Sequence, residues 1–258
     1  MKRRILVFVL IAVMLTLSAC DINDKNTNID LSTTISTSKP ATVGLAYELL
    51  PDGTYGVMAG TAIYADEIVI PSTYNGAVVT QIMPNGFENA TNLVSVTIPS
   101  TVTSIGRSAF AGCTSLIMVV VPDSVSEIGP SAFKNCTALE SITLPLNDNV
   151  FAGFFGAKTV DGKEMVTAIN LKHVVISGTC TEITGFAFAF CSYIESITIP
   201  GSVNRICLHA LAHCESLTSI YYNGTMAEWH SIQKDDGWDL STGKYTVHCS
   251  DGDIKKAN

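Results

Sequence analysis

Residues 93–113 read LVSVTIPSTVTSIGRSAFAGC, and the pattern returns at residues 116–136 as LIMVVVPDSVSEIGPSAFKNC and at residues 194–214 as IESITIPGSVNRICLHALAHC. The opening residues fall in two pairs, Leu93 with Leu116 and Ile194 with Leu217, each 23 apart. A fixed period of this size marks a solenoid, because a single unit cannot bury its apolar face and must stack on its neighbours. Function is therefore expected on a repeated surface.

Within each unit, LxSVTIP places apolar residues at its first, fourth and sixth positions with Ser and Thr between them. This predicts a short strand with an inward and an outward face, ended by a proline that cannot donate to a ladder. The following SxxxIGxxAFxxC supplies Ile105, Ala109, Phe110 and Cys113 as the opposite wall, on a turn or short helix, and Gly106 permits the turn. The first unit fits if residues 74–78 are an insertion, which aligns Ile82, Phe87 and Leu93 with Ile105, Phe110 and Leu116. Between Leu139 and Leu171 the interval grows to 32 residues, and the excess carries Phe151, Phe154 and Phe155. Those phenylalanines are expected to pack as an irregular turn of core.

Both ends of the stack need caps. Residues 45–60, LAYELLPDGTYGVMAG, alternate around Pro51-Asp52-Gly53 and predict a β-hairpin. At the other end Thr225 is a helix N-cap with Glu228 at the capping-box position, and Trp229 and Ile232 share one helical face.

Residues 1–20 place Lys2, Arg3 and Arg4 ahead of an apolar run from Ile5 to Leu17 that is too short to cross a bilayer. They read as an export signal. The segment Leu17-Ser18-Ala19-Cys20 resembles the lipobox of bacterial lipoproteins, which implies acylation of Cys20 and a membrane anchor. Residues 21–43, rich in Ser, Thr, Asn and Asp, form the expected flexible tether, 44–252 the capped solenoid and 253–258 a tail. Removing residues 1–19 moves the formal charge from −8 to −11, since three basic residues leave and no acidic ones. An acidic chain without a Lys/Arg run argues against nucleic acid or anionic lipid as the main partner.

Cysteines in an exported chain ordinarily suggest disulfides. Here Cys113, Cys136, Cys191 and Cys214 recur at one repeat position, which Ala90 fills in the first unit, and Cys180 and Cys207 stand where other units have Val102 and Gly106. A column that accepts alanine predicts small buried side chains, and the parallel Cα–Cβ vectors of stacked units disfavour bonding.

With these residues in view, the chain resembles the BspA-type leucine-rich-repeat proteins of bacterial and some protist surfaces. The resemblance rests on IPSTVTSIGRSAFAGCTSL and its variants and on the closing segments YYNGTMAEWHSI and YTVHCSDG, and covers residues 44–252. It implies an α/β leucine-rich-repeat right-handed solenoid with a parallel sheet on one face and short turns or helices on the other. It also implies adhesion-like binding of a protein on a host or neighbouring microbe, with no cofactor.

Possible chemistry is sparse. His209 and His213 could share a helical turn as zinc ligands do, but they replace Ser108 and Gly112 on the convex side and read as solvated. His248-Cys249 invites a nucleophile reading without a legible orienting base or oxyanion site. No serine stands in a nucleophile-elbow motif, so enzymatic activity is not expected.

The outward strand positions carry the candidate binding face. One column is Glu67, Ser95, Met118, Ser141, His173, Ser196 and Ser219, and the next is Val69, Thr97, Val120, Thr143, Val175, Thr198 and Tyr221. Short hydroxyl side chains lose little entropy on contact, and the interruptions at Met118, Val120, His173, Val175 and Tyr221 include exposed apolar surface for a partner to desolvate. The competing explanation is that Thr and Val are simply good strand formers. Two other functions fit the same chain: carbohydrate or substrate capture by Tyr221, Trp229 and Trp238 near the C-terminal cap, and a structural spacer.

Overall fold

The computed structural model describes residues 39–145, 157–160, 163–166 and 170–256. The segment read as an export signal, Cys20, most of the stretch read as a tether and Phe151, Phe154 and Phe155 lie outside the described residues.

The alternating pattern becomes a nine-stranded sheet. From its N-terminal edge it runs Glu67–Val69, Ser95–Thr97, Met118–Val120, Ser141–Pro145, His173–Ser177, Ser196–Pro200, Ser219–Asn223, Thr246–Cys249 and Gly252–Lys255. The first eight are parallel and the last returns antiparallel. Their central residues Ile68, Val96, Val119, Ile142, Val174, Ile197, Ile220 and Val247 are in register and buried, while Ser and Thr on either side point out.

The opposite wall is β-structure and turns where short helices were also allowed. Two-residue strands Ser104–Ile105 and Glu127–Ile128 extend a sheet begun by Ala77–Ile82, and Glu182–Ile183, Arg205–Ile206 and Gln233–Lys234 form another. Among the described residues, helix is confined to a 3-10 turn at Gly60–Tyr64 and an α-helix at Met226–Ser231. The physical reason is that each complete turn places two residues in the left-handed region. Asn85, Ser108, Ser131, Phe186, His209 and Gly237 form one such column, and Asn89, Gly112, Asn135, Phe190, His213 and Ser241 the other. A right-handed helix cannot pass through such residues. The turns instead bond to one another, as when the amide of Phe87 donates to the carbonyl of Ala109 and that of Phe110 to Ala132.

Between the walls the core is a set of side-chain ladders. The rings of Phe87, Phe110 and Phe133 stack with centroids 5.3 and 5.5 Å apart and planes within 7° and 3° of parallel. Ala90 and the column cysteines are buried beside them. The thiols of Cys113, Cys136 and Cys214 donate to the carbonyls of Phe87, Phe110 and Phe188 at 3.2, 3.1 and 3.2 Å, as expected of buried thiols rather than disulfides. Adjacent turns approach so closely at Gly106 and Gly129 that an added Cβ would lie 2.4 Å from the backbone nitrogens of Pro84 and Arg107.

The caps form as expected and extend further. Ala46–Leu49 and Tyr55–Met58 make the predicted antiparallel hairpin, whose second strand runs parallel to Ala77–Ile82 and so closes the turn-side wall. The main sheet's first edge is covered by residues ahead of Gly44. The Thr42 amide donates to the Val69 carbonyl at 3.0 Å, the Val69 amide to Thr42 Oγ1 at 2.8 Å, and Lys39 pairs with Glu67. Residues 39–43, inside the stretch read as tether, are therefore bound to the sheet edge. At the other end, Gly252–Lys255 pairs with Thr246–Cys249 and carries the partly buried Ile254, so pairing continues past residue 252 into what was read as tail. The helix Met226–Ser231 has both halves of the capping box: the Glu228 amide donates to Thr225 Oγ1 and the Thr225 amide to Glu228 Oε2.

The long interval also holds paired strands, Ala157–Val160 and Lys163–Val166, in an antiparallel hairpin. The Asp161-Gly162 dipeptide between them is a two-residue hairpin signal. The main sheet is continuous past this insertion because Ser141–Pro145 pairs directly with His173–Ser177.

Candidate functional site

The predicted columns exist in register. Glu67 pairs with Ser95, then Met118, Ser141, His173, Ser196 and Ser219 follow in sequence across the sheet. In the next column Val69 pairs with Thr97, and Thr143 joins Val120 to Val175, then Thr198 and Tyr221. The columns continue one strand beyond the sequence reading, to Thr246 opposite Ser219 and His248 opposite Tyr221. The closing strand YTVHC departs from the repeat template, and only its alternation signalled that it belongs.

One assigned residue leaves the face. Val69 is only 8% exposed because residues 39–43 cross its strand and Thr42 bonds to it on both sides. By contrast Val120 is 44% and Tyr221 46% exposed, so apolar surface stands in water near the middle and the C-terminal end. His173 is also exposed, and its Nδ1 lies 2.9 Å from Ser196 Oγ. At the C-terminal end Tyr221 and His248 stack at 5.0 Å and 22°, and His248 Nδ1 is 2.9 Å from Asp253 Oδ1. His248 is thus oriented toward a carboxylate and an aromatic partner, while Cys249, next in an alternating strand, faces the other side. Burial raises the Cys249 thiol pKa, assisted by the charges of Asp251 and Asp253, so it is a poor nucleophile at neutral pH.

The aromatic residues assigned to capture are divided. Trp229 is buried against Tyr222 at 5.3 Å and Trp238 at 6.1 Å, and Trp238 meets Tyr245 at 6.2 Å. These rings form the interior of the cap, with Lys234 Nζ 4.6 Å over Trp229. Only Tyr221 of that trio is on the open sheet; Trp229 is buried and Trp238 partly buried in the cap.

His209 and His213 occupy left-handed turn positions, partly exposed, against Phe186 at 5.1 Å and Phe190 at 4.5 Å. They lean on phenylalanine rings, not simply on solvent. Among the described residues no group of three or more His, Cys, Asp or Glu side chains could hold a metal ion. Asn, His and Gly enter the left-handed region more readily than a bulky Phe, which costs on the order of 1 kcal/mol there. Two ring contacts return roughly 0.5–1.5 kcal/mol each. Stacking is therefore of the same order as the backbone cost at Phe186 and Phe190.

These features define a leucine-rich-repeat solenoid with one open sheet face. The chain belongs to the BspA type leucine rich repeat family, whose model matches residues 64–169 and 157–232 in six copies. A leucine-rich repeat protein from Eubacterium ventriosum ATCC 27560 is similar at 25% identity and a TM-score of 0.55, covering 76% of this chain and 50% of that one. The chain thus spans half of that protein's length. The Treponema pallidum leucine rich repeat protein is 25% identical over 69% of this chain and 68% of its own, with a TM-score of 0.44. No curated protein matches the chain in sequence.

Proposed function

We propose that this chain is a non-catalytic, lipid-anchored surface protein that presents its main sheet to a protein partner on a host cell or neighbouring microbe. The observation that carries the reading is the register: one outward column runs from Glu67 to Ser219 and the other from Val120 to Tyr221 across the parallel strands, and their apolar members are fixed on a buried, ladder-packed core. A preorganised surface loses little freedom on binding. Eight parallel strands about 4.8 Å apart give a face about 34 Å long, and with a width of roughly 14 Å it offers about 480 Å². A stable interface needs about 800 Å² per partner. The partner must then also reach the residues just ahead of the strands, where Glu140, Lys172 and Glu195 line up and Lys172 pairs with Glu140 at 3.5 Å.

The lipid anchor rests on the lipobox-like Leu17-Ser18-Ala19-Cys20 and the tether that follows. Mass spectrometry of membrane-extracted protein should find an acylated Cys20 at the N-terminus; a free, unprocessed N-terminal segment would refute the anchor alone. For the face, the test is a binding screen over purified host-matrix and microbial surface proteins, repeated with M118D/V120D/H173D. The expected result is loss of the bound partner with little change in thermal unfolding. Equal binding by the variant removes the sheet face.

A further inference from the structure

The turn side of the solenoid changes character along its length while its backbone does not. In the first three units the left-handed positions hold Asn85, Ser108 and Ser131 in one column and Asn89, Gly112 and Asn135 in the other, residues suited to that conformation. In the two units after the insertion the same positions hold Phe186 and His209, and Phe190 and His213. Phe186 and Phe190 remain 41% and 42% exposed, and Leu208 and Tyr193 beside them are exposed too. Phe186 and Phe190 join a left-handed backbone that Asn adopts more readily to apolar surface left in water, and a contiguous exposed apolar patch of this kind marks an interaction site.

The surrounding charge selects the occupant. Residues 180–243 contain seven acidic and two basic side chains. Arg205 is held by Glu182 at 3.7 Å and Asp235 at 3.2 Å, and Lys234 Nζ donates to the carbonyls of Trp229 and Ile232. Glu215, two residues after His213, and Asp236, next to the Gly237 that abuts the His209 ring, are exposed and in no ion pair among the described residues. Unpaired carboxylates beside an apolar patch disfavour a second copy of this acidic chain and an anionic lipid surface.

We propose that the turn face of these two units is a second docking surface, distinct from the main sheet, for a basic amphipathic protein segment. Its apolar side packs on Phe186, Phe190, His209 and His213, and its Lys and Arg side chains lie against Glu215 and Asp236.

The test uses the folded chain with a fluorescent 14-residue Leu/Lys amphipathic peptide as probe, followed by anisotropy. Wild type should bind it saturably at one to one. F186N/F190N/H209N/H213N should weaken binding at least tenfold with an unfolding midpoint equal to or above that of wild type, and M118D/V120D/H173D should bind as wild type does. The last comparison separates this surface from the sheet face, so either can fail alone. Equal binding by the fourfold Asn variant overturns the proposal. So does equal binding of a Leu/Glu peptide, or of a Lys/Ser peptide of the same charge but no apolar side. Phosphatidylcholine vesicles bound by wild type and not by the Asn variant would assign the face to lipid, and self-association lost in that variant would assign it to a second copy; each overturns the proposal as well. Should the fourfold variant fold poorly, F186N/F190N reads the same prediction, and a fall of its midpoint by more than about 5 °C would make the rings structural.

Discussion

Tyr221 stacks on His248 across neighbouring strands, with centroids 5.0 Å apart and planes 22° from parallel, although Tyr221 closes the repeat pattern and His248 lies in the segment that departs from it. The contact joins the last repeat strand to the cap and carries the exposed face one strand further. His248 is in turn fixed by Asp253 of the returning strand.

Replacement of Tyr221 by Ala should therefore affect recognition more than folding. An exposed ring contact is worth about 0.5–1.5 kcal/mol, while loss of an interface aromatic commonly exceeds that. Thermal unfolding and partner affinity measured on the same sample should show a small shift in the first and at least about a tenfold loss in the second. A large loss of stability with unchanged affinity would make Tyr221 a cap residue.

The core ladder predicts the opposite balance. Phe110 stacks between Phe87 and Phe133 and is fully buried, so Phe110→Ala leaves a cavity in the middle of the stack and should cost about 3–5 kcal/mol. Urea unfolding gives this directly. A cost below 1 kcal/mol would mean that adjacent turns collapse into the space.

At Phe190 a truncation should do no harm. Its backbone is left-handed at φ 64°, and Asn adopts that conformation more readily, so Phe190→Asn should leave stability unchanged or raise it by up to about 1 kcal/mol. The same urea measurement checks it, and a loss of 2 kcal/mol would contradict the strain argument.

The capping box links stability to acid. Hydrogen bonds from the Thr225 amide and hydroxyl lower the Glu228 pKa, so this contribution is present above the ordinary carboxylate range and is lost as pH falls through the depressed value. Thr225→Ala should cost about 1 kcal/mol at neutral pH, and the difference from wild type should shrink on acidification. An undiminished difference at low pH would place the effect elsewhere.

Thiol reactivity should follow burial. Cys113, Cys136 and Cys214 are buried, and desolvation pushes the Cys214 thiol up while the neighbouring Cys113 sulfur, ahead of desolvation, does so at Cys136. Cys207, partly exposed, is pushed up to about 11 by burial and by Glu182. Iodoacetamide labelling with peptide mass spectrometry should modify Cys207 slowly at neutral pH and faster as the pH is raised, with no native labelling of the other three. Rapid labelling of Cys136 would show that the ladder opens.

Much of this was legible from residues alone because one physical constraint repeats. Stacking forces each inward Val or Ile to meet the same residue of the next unit, so a 23-residue period transmits the register, and the columns from Ser95 to Tyr221 could be read off directly. The hairpin cap and the Thr225 capping box were legible from turn and cap chemistry. The minor sheets were not, because two-residue strands such as Ser104–Ile105 are too short to show alternation. Burial of Val69 depends on Thr42, which sits in a stretch whose composition resembles a tether. The hairpin at Ala157–Val160 and Lys163–Val166 did leave a signal in Asp161-Gly162, overshadowed by the neighbouring phenylalanines. The left-handed columns were hinted at by Asn, Ser and Gly in the early units, but Phe and His at those places conceal the conformation.

The central claim is that the main sheet is the recognition surface. Photo-crosslinking tests it most directly, with a benzophenone side chain placed at Val120, at Tyr221 or, on the turn side of an early unit, at Lys134, and the bound partner analysed by mass spectrometry. Crosslinks from Val120 and Tyr221 with none from Lys134 are the predicted result. Efficient crosslinking from Lys134, with Val120 and Tyr221 silent while binding persists, would contradict it.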